Sequence, residues 1–206
     1  MATTKIFPLI STSSHAKKSS GFTLLELMVV LAIAAILATM AAPSFTRLIQ
    51  SNTMSSTVNT FLADMRYARS ESIRRGGGVV MCRSDAPEAS IPVCNNGSGS
   101  NGNGWVSGWI IYLDANNDGT ISATELLRVQ ERITSMNSIV EMKLNPTAKF
   151  QFTATGRLLN LSSATTLQFG GNPVFANDVQ RTVCVSLGGR TRIAGDGTAA
   201  CGLNFQ

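Results

Sequence analysis

From Phe22 to Ala42 the chain reads FTLLELMVVLAIAAILATMAA, 21 residues with a single charge at Glu26. As an α-helix rising about 1.5 Å per residue, this run spans roughly 30 Å, the thickness of a bilayer's hydrocarbon core. Lys17 and Lys18 stand just before it. Positive charge there holds the N-terminus in the cytoplasm and sends the rest of the chain outward.

A secretory signal peptide is cut after its apolar run. Here the candidate site comes before it, between Gly21 and Phe22. Cleavage at that bond removes a basic leader, residues 1–21, and leaves the apolar helix attached. The new α-amine then belongs to Phe22, and the carboxylate of Glu26 lies one helical turn along. A carboxylate in lipid is expensive. A cation from a neighbouring subunit, such as its N-terminal amine, offsets that cost, so Glu26 reads as an assembly contact. The plainer alternative is a side chain that snorkels to the headgroups.

GFTLLELMVVLAIAAILATMAAPSF resembles the N-terminus of type IV prepilins and type II secretion pseudopilins. The resemblance implies that a prepilin peptidase cuts after Gly21 and methylates Phe22. It implies that Glu26 is the glutamate needed for assembly and that Pro43 is the helix-kinking proline. It also implies a precursor in the inner membrane, with its globular part periplasmic, that later joins an extracellular pilus at or near its tip. The partners expected are other major and minor pilins.

The helical pattern continues past Pro43. Val58, Phe61, Leu62, Met65 and Ala68 form one apolar stripe. Asp64, Arg66, Arg69, Glu71, Arg74 and Arg75 mostly fall elsewhere, on the surface. Gly76-Gly77-Gly78 ends the helix, giving an element over 22–75 with its membrane and filament part at 22–42. Beyond it the period shortens. VVMC (79–82), WIIYL (109–113), LLRVQ (126–130), IVEMKL (139–144), FQFT (150–153), TLQFG (166–170) and RTVCVSL (181–187) read as strands of a third region, 76–206. The glycine-rich stretch 95–104 reads as a surface loop. The expected fold class is α+β: a long N-terminal helix packed on a globular domain of antiparallel β-sheets.

Cys82, Cys94, Cys184 and Cys201 lie behind an export-type segment, which favours two disulfides. Of three possible pairings, Cys82–Cys94 and Cys184–Cys201 close short local loops and are favoured. Four reduced thiols are the alternative. No Cys-x-x-Cys spacing suggests zinc. The one histidine, His15, lies in the leader. A mature chain without histidine, nucleophile elbow or triad does not read as an enzyme, and no cofactor is expected.

DANNDGTISATE (114–125) matches the calcium-loop string of EF-hands, with Asp114, Asn116 and Asp118 at positions 1, 3 and 5. Gly119 supplies the turn, Ile121 sits at position 8 and Glu125 at 12. The run before it reads as strand rather than helix, so an Asx-rich turn is favoured and no metal is assigned.

GWIIYLDANNDG, with LLR after it and MCRS (81–84) ahead, resembles the domain shared by the minor pilins FimT and FimU and the secretion pseudopilin GspH. In GGRTRIAGDG, Arg190 and Arg192 project alike from an extended segment, and Arg181 could join them across a hairpin. The net charge of +5 owes much to Lys5, Lys17 and Lys18 of the leader, so polyanion binding would have to be local. GRTR (189–192) resembles the Gly-Arg-x-Arg motif of the FimT branch. That resemblance implies that Gly189, Arg190 and Arg192 bind double-stranded DNA without sequence preference for uptake in natural transformation. The alternative is a structural minor pilin or type II secretion pseudopilin that does not bind DNA.

Overall fold

The computed structural model describes residues 21–97, 99, 104–134, 139–141, 148–159, 161–170 and 175–202. The leader through residue 20 lies outside them, as do residues 98 and 100–103 of the glycine-rich loop and residues 142–144. The chain divides into two compact units, Met1–Pro43 and Ser44–Gln206. One helix, α1 (Leu24–Arg75), contributes residues to both.

Within the first unit α1 starts on a reciprocal cap. The Thr23 side chain accepts from the Glu26 N–H at 3.2 Å, and the Glu26 carboxylate accepts from the Thr23 N–H at 3.4 Å. This is a capping box, and it satisfies two N–H groups that a helix start leaves unpaired. The apolar side chains beyond it are exposed, from Phe22 at 81% to Met40 at 74%. The helix is long and apolar enough to cross a membrane.

In the second unit the apolar stripe becomes a core. Met54, Val58, Phe61, Leu62, Met65 and Ala68 are buried. Phe61 lies at the centre, edge-on to Trp105, Trp109 and Phe169 at 5.4–5.6 Å between ring centroids. Burying each such large side chain stabilises by about 1.5–3 kcal/mol. Asp64 departs from expectation: it is buried, not on the surface. Its carboxylate accepts from Trp109 Nε1 at 2.8 Å and from the Arg128 guanidinium, which also covers the Tyr67 ring. The two donors satisfy a charge that burial would otherwise penalise.

At its end α1 closes on glycine. Gly76 has φ 80°, and the Gly77 N–H donates to the Ser72 carbonyl at 2.8 Å, the long bond of a Schellman cap. Just before the cap, Arg74 and Arg75 both donate to the Glu71 carboxylate and hold its pKa down at about 2. Ser72 Oγ donates to the Phe152 and Thr153 carbonyls at 2.9 and 2.8 Å, fastening the helix to a strand.

Among the described residues, eight strands come after the helix: β1 (Val79–Arg83), β2 (Trp109–Leu113), β3 (Leu126–Gln130), β4 (Ile139–Glu141), β5 (Lys149–Phe152), β6 (Thr165–Phe169), β7 (Arg181–Val185) and β8 (Thr191–Gly195). A short 3-10 helix, Trp105–Ser107, precedes β2. The strands form two four-stranded sheets, β3-β2-β1-β5 and β4-β6-β7-β8, and every pairing is antiparallel. The extended segment that carries Arg192 is the edge strand β8.

Inward residues of both sheets meet the helix stripe: Met81, Ile111 and Phe150 from one, Leu167, Phe169 and Val183 from the other. The first sheet is also covered on its outer face. Val80, Cys82, Ile110 and Tyr112 pack there with Cys94, Ile121 and Leu126. Disulfides join Cys82 to Cys94 and Cys184 to Cys201. Arg83, buried beside the first bridge, donates to Asp85, to Ser107 Oγ and to the Asn96 carbonyl.

Candidate functional site

Three segments carried the functional expectations. In the first, Gly21 and Phe22 lie ahead of the helix in an exposed, non-helical stretch. Among the described residues, a Cβ built on Gly21 meets no atom within 4 Å. Glu26 sits at the third helical position, where its charge also favours the positive end of the helix dipole. Sequence reasoning missed the cap partner Thr23, although Thr-Leu-Leu-Glu is a legible capping box.

In the second segment, β7 and β8 form a hairpin turning at Ser186–Arg190. The Gly189 N–H donates to the Ser186 carbonyl at 2.9 Å, and the Ser186 N–H donates to the Arg190 carbonyl at 2.9 Å. Gly189 has φ 71°, and a Cβ on it would lie 2.2 Å from the Gly156 carbonyl oxygen. Packing alone requires this glycine. Arg190 is exposed and shares a shallow cleft with Arg66 and Arg69 of α1, along with Gly189 and Thr191. Arg192 is exposed on β8, paired in register with Cys184.

Arg181 does not join these arginines. It lies at the other end of β7 from the turn, five residues before Ser186, or roughly 15 Å along an extended strand. Its guanidinium donates to the carbonyls of Asp178, Val179 and Gln180, which is a structural duty. It also helps hold the Asp196 carboxyl below its ordinary pKa, after the larger effect of hydrogen bonds from Thr198.

In the third segment, the loop 114–125 joins β2 to β3. The Gly119 N–H donates to Asp114 Oδ2 at 3.1 Å, and Asn116 Oδ1 accepts from the Asp118 N–H at 3.2 Å. Asp118 Oδ1 accepts from the Thr120 N–H and hydroxyl, both at 2.7 Å. Glu125 Oε2 accepts from the Ser122 N–H and hydroxyl at 3.0 and 2.8 Å. These bonds hold both carboxyls below their ordinary pKa.

A capped, exposed apolar helix that runs on into a two-sheet α+β domain is the architecture of type IV pilins. Comparison with known families and structures narrows this. The family described as Type II transport protein GspH matches residues 57–189. Residues 16–42 match the Prokaryotic N-terminal methylation motif. The chain belongs to the GspH family. Its fold is that of the type IV minor pilin FimU of Pseudomonas aeruginosa, at 20% identity and a TM-score of 0.52 over 72% of this chain and 95% of that one. FimU in a second crystal form aligns at 20% identity and a TM-score of 0.48, over 70% of this chain and 98% of that one. No curated protein matches the chain.

These findings correct the expectation drawn from GRTR. The likeness is to GspH and FimU, not to the DNA-capturing FimT branch, and DNA uptake is overturned as the reading of this chain. The physical reasons lie in the motif itself. Gly189 is fixed by the turn and by Gly156, and Arg181 caps backbone carbonyls at the far end of its strand.

Proposed function

We propose that this chain is a structural subunit of a type IV pilus or of a type II secretion pseudopilus. Prepilin peptidase cuts between Gly21 and Phe22 and methylates Phe22. The inner membrane holds the subunit by α1 until it enters a filament with other pilins. The observation that supports this most is the exposure of every apolar side chain described from Phe22 to Met40, in a helix whose later turns form a domain core. Phe45, Leu48 and Ile49 extend the exposed apolar surface at 64%, 56% and 63%. Neighbouring helices in a filament would bury this surface. Glu26 pairs there with the Phe22 amine of an adjacent subunit, so its charge is matched where water is absent.

Glu26→Gln tests the charge separately from the cap, because glutamine also serves in a capping box. The full chain and the variant are each expressed with prepilin peptidase and the other pilins of the same system, and sheared filaments are separated from membranes. Wild type is expected in the filament fraction and Glu26→Gln in the membrane fraction. Equal entry of both into filaments would overturn the role given to Glu26.

A further inference from the structure

The loop between β2 and β3, residues 114–125, turns on two residues with left-handed backbone. Asn117 is the one non-glycine residue with positive φ among those described, at 56°. It occupies the fourth position of the twelve-residue string, and Gly119, at φ 72°, occupies the sixth. A Cβ at Gly119 would meet nothing within 4 Å, so the turn, not crowding, calls for glycine. The chain is thus bent tightly around the side chains of Asp114, Asn116 and Asp118.

A second observation concerns Asp114 itself. The residue is 6% exposed. Its Oδ2 reaches across the loop to Gly119, which turns the carboxylate into the loop, while its buried Oδ1 has no hydrogen-bond partner. A carboxylate oxygen removed from water without a donor is unfavourable, and a cation is the partner that would satisfy it. Ile121 packs on the outer face of the first sheet, and the Leu113 N–H donates to the Glu125 carbonyl at 2.9 Å, so both the middle and the base of the loop are anchored.

We propose that residues 114–125 bind one calcium ion through Asp114, Asn116, Asp118, the main-chain carbonyl of Thr120 and Glu125. The ligands are all oxygen, as a hard cation requires, and β2 and β3 replace the flanking helices of an EF-hand. Among the described residues no three acidic, histidine or cysteine side chains stand together as a ready metal cage. Glu125 must therefore leave Ser122 and swing onto the ion. That exchange of bonds makes the affinity modest, with a Kd of about 0.1–1 mM, the range of extracellular calcium modules.

The test uses the full-length chain in detergent, stripped with EDTA and titrated calorimetrically with calcium chloride or magnesium chloride. Thermal unfolding is followed in parallel. Saturable calcium binding with a rise in Tm is expected, and Glu125→Gln should weaken it by at least about tenfold. Asp118→Asn, a milder change at an exposed ligand, should also weaken it. Unfolding of both variants in EDTA, at the wild-type temperature, shows that the fold is kept. No calcium response up to about 10 mM, well above that range, would overturn the site. So would undiminished binding by both variants, or an equal response to magnesium.

Discussion

Asp64 shows how a single residue can invert its surface reading. An acidic residue beside an apolar helix stripe reads as solvated, because the stripe alone gives no sign of a donor on the opposite wall. The donors come from distant strands, Trp109 Nε1 on β2 and the Arg128 guanidinium on β3. Removing the carboxylate strands the buried indole N–H, so Asp64→Ala should destabilise the fold by about 2–4 kcal/mol. Urea denaturation of the two chains measures this. A loss under about 0.5 kcal/mol, the usual range for surface substitutions, would mean that Asp64 is solvated after all. Gly189 teaches a related lesson. Beside two arginines it resembles part of a binding motif, yet its positive φ and contact with Gly156 account for it without any ligand.

At the scale of elements, α1 was legible because its stripe repeats at helical spacing and three glycines come directly after it. Most strands were legible for the same kind of reason. β1, β5 and β6 differ from expectation by about a residue at their ends, and β7 stops at Val185, two residues before its expected end, where pairing partners rather than local sequence set the boundary. β8 was less legible. Its strand character comes from the ladder it makes with β7, and flanking glycines disguise it. Sheet order was not legible at all, since β5 pairs with β1 across more than sixty intervening residues. The Cys184–Cys201 bridge closes this edge over a separation of 17 residues. By loop-closure entropy such a bridge stabilises by about 3 kcal/mol. Replacing both cysteines by alanine should therefore lower the urea midpoint without changing filament entry. An unchanged midpoint would show that the C-terminal segment contributes little to the fold.

For the whole molecule, the N-terminal signal and the α+β class were readable because a bilayer and a hydrophobic core impose strict lengths and periods. The particular duty was not readable from two arginines, because exposed cations are cheap on any surface and a short motif does not say what they touch. What distinguishes this chain is the contrast along one helix, exposed and apolar from Phe22 to Met40 and core-forming from Met54 to Ala68. The most direct measurement is the intact mass of the chain recovered from sheared filaments. A species that begins at Phe22 and carries one N-terminal methyl group is the predicted result. A chain found only in membranes, with residues 1–21 still attached, would contradict the account.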